Sequence, residues 1–267
     1  MEKVKVGIAG LGRLGKVHAN NIAYKIPNAE LTAACSIMPA ELEYAQKELG
    51  VKDVYTDFDE MLAKADIDAV AIVTTSGLHC SQIAKALDAG KHVFSEKPLG
   101  VNVEECKQAE VAVERHPELS FFLGFMRRFD PSYAYAMEKI KAGLIGEPYM
   151  VKATGIDPEA LVQGAIRFAP TSGGIFIDMA IHDIDLMRWF LGEDPVEVYA
   201  SVRHSSIQNS RRLAMMRRAW PCTSARAARL ALSMSGAQHR MAITSRQRSS
   251  ARKARCASAR SRRRISA

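Results

Sequence analysis

Apolar and polar positions alternate and recur in a regular order over the first 125 residues. "VKVGIA" (Val4–Ala9) alternates and stops at a glycine cluster, which predicts a buried strand. Leu14–Ile26 predicts a helix, Ala29–Ile37 a second strand, and "PAELEYAQKELG" a helix closed by Gly50. "DVYTDFDEMLAK" predicts a short strand and a helix, and "IDAVAIVTT" a strand apolar on both faces. A helix over "LHCSQIAKALDAG" comes next, then a strand at "HVFSEKPLG" that runs into a turn. A helix at Val103–Glu114 and a strand at "LSFFLGF" complete the series. Strands alternating with helices at these lengths predict an α/β fold with a doubly wound parallel sheet.

From about Pro131 the pattern changes. A helix is expected over "SYAYAMEKIKAG", a strand over "EPYMVKATG", one long helix over "GGIFIDMAIHDIDLMRWFLG", and the start of a strand at "PVEVYASV". The chain therefore divides into an α/β domain at 1–125, a partial second domain at 126–205 and a tail at 206–267.

Charge sharpens that division. Glu197 is the last acid, and residues 198–267 hold 17 of the 37 Lys and Arg residues. The other 20 bases share residues 1–197 with all 29 acids, so the front is −9 and the tail +17. Apolar residues make up 48% of the 267, enough for a substantial core, and no run of 18 apolar residues predicts a membrane span. The opening Met-Glu-Lys leads straight into a strand pattern and does not read as a signal peptide. Cys35, Cys80, Cys106, Cys222 and Cys256 are odd in number and lack CxxC spacing. They read as reduced thiols of a cytoplasmic protein, with no metal site.

The candidate chemistry starts at "GLGRLG". Gly10, Leu11, Gly12, Arg13, Leu14 and Gly15 form a GxGxxG loop after a strand and before a helix, the context in which it cradles a pyrophosphate. An acid often ends the second strand and binds the adenosine ribose; here that place is Ser36. Ser36 can bond a ribose or be an ordinary strand-end serine, and NAD and NADP both stay open, with NAD ahead. "SEKPLG" puts Glu96 and Lys97 at a strand's carboxyl end, where open α/β sheets bind ligands; a solvated turn lysine is the alternative. "DMAIHDID" spaces Asp178 and His182 by four, on one face of the expected helix, as a proton-shuttling pair or a simple helical ion pair. Asp183 and Asp185 flank it and are not ranked by spacing.

Taken in order, "GIAGLGRLGKVHA", "SEKPLG", "GFMRRFDPSY" and "IDMAIHDIDLMRW" resemble the Gfo/Idh/MocA oxidoreductases, and among them the inositol 2-dehydrogenases, over about residues 1–200. The resemblance implies a Rossmann domain, then an α/β domain with a large, mostly antiparallel sheet. It implies hydride transfer between an inositol-like polyol or sugar and NAD or NADP. By resemblance Lys97 contacts the reacting hydroxyl, His182 accepts the proton and Asp178 is its partner. Arg127 and Asp157 meet substrate, and Thr74, Thr75, His79, Glu96 and Lys97 itself line the nicotinamide side. Family members form homo-oligomers through the large sheet.

The tail does not continue that sheet. "HSSIQNSRRLAMMRRAWPC" and the residues after it carry no acid, and Trp220 is the only aromatic after Tyr199, which disfavours a nucleic-acid arm that stacks on bases. A slipped coding frame near residues 200–210 is the expectation. When the third base of each codon joins the first two of the next, Met215–Met216 must give aspartate, Trp220–Pro221 alanine and Met241–Ala242 glycine. With permitted codon choices residues 237–258 read "TAPHGYHVETEIIGTKGALRI", an alternating strand pattern with its acids restored. On this reading the tail is not natively packed, the second-domain strand lacks neighbours, oligomers are disfavoured and activity is impaired. Resequencing the coding DNA from codon 195 decides it: a base gained or lost near codon 205 is expected, and an unbroken frame would overturn the reading. The rival functions are a non-catalytic dinucleotide-binding protein and a nucleic-acid binder working through the basic tail.

Overall fold

A computed structural model describes residues 2–155, 162–168, 170–174, 176–198, 229–232 and 240–246. The chain forms two compact units, residues 1–125 with 168–178, and residues 126–167 with 179–267.

In the first unit, β1 (Val4–Ala9), α1 (Arg13–Tyr24), β2 (Ala29–Cys35), α2 (Pro39–Leu49), β3 (Asp53–Tyr55) and α3 (Phe58–Lys64) form the first half. The second half holds β4 (Ala69–Ile72), α4 (His79–Asp88), β5 (His92–Glu96), α5 (Val103–Arg115) and β6 (Phe121–Gly124). The helix ends are set locally. Asp57 accepts the Glu60 N–H at 2.8 Å and Asn102 the Glu105 N–H at 2.9 Å, each supplying an N-cap. Gly50 closes α2 in the left-handed region at φ 70°, where a side chain would be strained.

All six strands are parallel, in the order β3-β2-β1-β4-β5-β6. The doubly wound expectation holds. Period-2 alternation sends neighbours on each strand to opposite faces. Ile8, Ala34 and Ala71 join Leu11, Ala19 and Ile22 on one face, while Ala9, Cys35, Val70 and Ile72 join Met61, Ile83 and Leu87 on the other. The seven-residue α3 is too short to persist alone; burial of Phe58 and Met61, about 1.5–3 kcal/mol each, holds it to the sheet. Cys35 and Cys80 are buried, and burial pushes their thiols up to about 11 and about 12, which makes them packing groups rather than nucleophiles.

In the second unit a 3₁₀ turn, Met126–Phe129, precedes α6 (Pro131–Lys141), which Asp130 caps by accepting the Ser132 N–H at 2.8 Å. The strand β7 (Glu147–Thr154) comes next, then α7 (Val162–Phe168) and α8 (Ile181–Leu191). Two differences from expectation appear here. The long helix is broken: a π turn, Phe176–Ala180, precedes α8. And β7 does have neighbours, β8 (Arg229–Leu232) in parallel and β9 (Arg240–Arg246) antiparallel. The reason is that a sheet ladder is made by backbone N–H and C=O groups, which every non-proline residue supplies. Pro195–Val198 form no strand. The rest of the tail and Asp157 lie outside the described residues.

Candidate active site

The switch in strand order falls between β1 and β4, and the glycine loop leaves β1 at that point. Gly10 is at φ 89°, and a Cβ there would lie 2.5 Å from the Val73 carbonyl oxygen. A Cβ on Gly15 would fall on the carbonyl oxygen of Gly10, so helix and loop touch backbone to backbone. Gly12 differs: a Cβ there would meet nothing within 4 Å. The loop is thus tight behind and open in front, over the start of α1, whose first turn has no side-chain cap and no acid. Free N–H groups at a helix start, reached through an open glycine, suit a pyrophosphate. Leu11 is buried in the core and can offer only its backbone, while Arg13 and Leu14 are exposed.

Ser36 is buried at the end of β2, one residue beyond Cys35, whose carbonyl accepts the Gly10 N–H at 2.9 Å. On the other side of the switch, Thr74 Oγ1 donates to Gln82 Oε1 at 2.5 Å, and Thr75 is exposed before a 3₁₀ turn. His79 is 1% exposed, with Nδ1 2.7 Å from the Pro98 carbonyl and Nε2 3.2 Å from that of Thr74. Both ring nitrogens face backbone, so the imidazole braces the ends of β4 and β5 against each other.

Glu96 and Lys97 end β5. Glu96 Oε1 lies 2.8 Å from His18 Nε2 on α1, and its Oε2 accepts the Lys97 N–H at 3.1 Å. The same carboxylate therefore ties the phosphate-facing helix to the lysine turn. Lys97 Nζ donates to the Asp178 carbonyl at 2.6 Å and to Asp178 Oδ1 at 3.1 Å. An ammonium has three donors; among the described residues two of them go to Asp178, which leaves the third for a ligand oxygen at the carboxyl edge of the sheet. Asp178 sits in the π turn, a form of helix often found at functional sites. Its four-residue spacing to His182 crosses that turn and is not the plain α-helical face the sequence suggests.

In the second unit, α8 carries His182 in its first turn and packs on β7. Asp183 and Asp185, left unranked by spacing, are 2% and 5% exposed and bind the two arginines of the 3₁₀ turn. Arg127 donates to Asp183 Oδ1, and Arg128 grips Asp185 at 2.9 and 2.7 Å through Nε and Nη2. Arg127, expected at substrate, pairs with a buried carboxylate through one guanidinium nitrogen and so anchors α8.

Comparison with known proteins respects the same division. Residues 4–125 match the family model described as "Oxidoreductase family, NAD-binding Rossmann fold", and residues 133–243 match the GFO/IDH/MocA C-terminal domain. The chain belongs to the GFO/IDH/MocA family. It is 40% identical over 210 residues to scyllo-inositol 2-dehydrogenase (NAD(+)) of Bacillus subtilis (strain 168), covering 78% of this chain and 59% of that protein. It is 36% identical over 204 residues to myo-inositol 2-dehydrogenase of Thermotoga maritima, covering 74% and 58%. Among solved structures, scyllo-inositol dehydrogenase from Lactobacillus casei with bound NAD(H) and scyllo-inositol superposes with a TM-score of 0.85 at 43% identity, over 91% of this chain and 74% of that one. The chain spans less than two thirds of the curated relatives' length.

Within this family fold, His18 and the Arg127–Asp183 and Arg128–Asp185 pairs are not singled out by spacing. His18 lies inside "GKVHA", but its partner is 78 residues away.

Proposed function

We propose that the chain is an NAD-dependent oxidoreductase that oxidises a ring hydroxyl of an inositol-like polyol. The observation that carries this is the Lys97 ammonium, held by Asp178 with one donor to spare at the edge of the sheet that bears the open glycine loop. Bound NAD would supply the hydride acceptor. The loop backbone at Gly10–Gly15 would bind its pyrophosphate. Lys97 would hold the reacting hydroxyl and stabilise negative charge on its oxygen as the proton departs. His182 would take that proton, as a neutral imidazole can. Asp178 would keep the ammonium in place, and Arg127 and Arg128 would fix α8 through Asp183 and Asp185. If residues 206–267 are out of frame, turnover is impaired, and restoring the frame should raise it.

The test is NADH formation, monitored by absorbance, with the chain and its frame-restored form on NAD and myo- or scyllo-inositol. NADH formation, greater in the restored form, is expected. NADH binding with no turnover in either form would overturn the reading and leave a non-catalytic dinucleotide-binding protein.

A further inference from the structure

No acid ends the second strand, yet the structure brings a carboxylate to that place from the next helix. Glu41, in the first turn of α2, accepts a hydrogen bond from Ser36 Oγ at 2.6 Å, and Ser36 Oγ accepts the Met38 N–H at 3.1 Å. Ser36 is 6% exposed, so its hydroxyl is held in this arrangement. The Gly10 N–H bond to the Cys35 carbonyl fixes the cluster beside the glycine loop. Ile37 and Met38, 83% and 53% exposed, leave apolar surface next to it. We propose that Glu41, positioned by Ser36, accepts the adenosine ribose hydroxyls and makes the chain select NAD over NADP. This rests on the NAD-binding reading above. A ribose diol offers two O–H donors to a carboxylate. A 2′-phosphate would instead set about −1.5 to −2 charges against it. Ile37 and Met38 supply apolar contact for the adenine ring. Glu41 also sits where a helix N-terminus favours an acid. A purely structural role of that kind would change stability and leave nucleotide preference alone.

The experiment is a fluorescence titration of the full chain, Glu41→Gln and Ser36→Ala with NADH and NADPH, with thermal unfolding of each. The unchanged chain should bind NADH more tightly. Glu41→Gln should cut the NADH-over-NADPH preference about tenfold, the scale of one charge-assisted hydrogen bond, and Ser36→Ala should cut it less. A folded Glu41→Gln with unchanged preference overturns the proposal. So does an unchanged chain that binds NADPH as well as NADH. If Glu41→Gln unfolds, Ser36→Ala decides in the same way. Binding of neither nucleotide by the unchanged chain defeats the NAD-binding reading itself, and this inference with it.

Discussion

In the frame-restored chain, Lys97→Ala should abolish turnover while leaving the cofactor bound. The expected fall in NADH formation is about 10²–10⁴-fold, the range for a group that handles the proton and charge of the reacting oxygen. NADH affinity should change less than about threefold, because the glycine loop and Ser36 are built by β1, α1 and β2 and do not use the lysine side chain. The fold should survive. The Lys97 and Asp178 side chains are 16% and 28% exposed, so water can reach an Asp178 that has lost its cation. Unfolding midpoints and NADH titration, run beside the inositol assay, separate the cases. If turnover persists in the folded variant, Lys97 does not hold the reacting hydroxyl. If NADH binding falls as far as turnover, the lysine belongs to the cofactor site instead. Lys97→Arg adds a further check: a planar guanidinium cannot reproduce three donors arranged around one atom, so turnover should stay low although the charge is kept.

The parts of this architecture legible in the sequence are those whose cause is local. A strand buried on both faces must be apolar throughout, and "AVAI" at β4 is. A glycine loop between strand and helix needs its three glycines at fixed spacing, and Gly10, Gly12 and Gly15 show why once their surroundings are known. The resemblance places Lys97, Asp178 and His182 together in function, but the contact of Lys97 with Asp178 joins residues 81 apart, which no periodicity encodes. Arginines 127 and 128 are read easily as charges; that they serve buried aspartates 56 and 57 residues on depends on tertiary packing. The π turn is hidden in the sequence because "IDMAIHDIDLMRW" keeps an apolar helical pattern through it. The strands on either side of β7 are hidden because their ladder is made by the backbone, while the side chains of an Arg-rich segment argue against a sheet. Ser36 is the most misleading position: read alone it removes an acid from the ribose site, and only the hydrogen bond to Glu41 puts one back.

The glycine loop yields the second large effect, and it separates folding from binding. Gly15→Ala should strongly destabilise the first unit. Its methyl falls on the Gly10 carbonyl oxygen, a backbone atom whose own residue is pressed against Val73, so neither side can yield. Overpacking usually costs about 1–3 kcal/mol where side chains can move; between two backbones it should exceed about 3 kcal/mol. Against a total stability of about 5–15 kcal/mol, that lowers the unfolding midpoint sharply. Gly12→Ala should behave oppositely. Gly12 has φ −63° and ψ −166°, which alanine adopts freely, and its Cβ meets nothing within 4 Å. Stability should shift by about 1 kcal/mol or less, the scale of an N-cap change. NADH affinity should nevertheless drop at least about tenfold, because the added methyl stands where the pyrophosphate must approach the start of α1. Chemical denaturation and NADH titration of the two variants, side by side, check both halves. A folded Gly12→Ala that binds NADH as tightly as the unchanged chain would mean that the open face of the loop is not where the cofactor lies. The role proposed for Lys97, at a strand end farther along the same edge of the sheet, would then lose its geometric support.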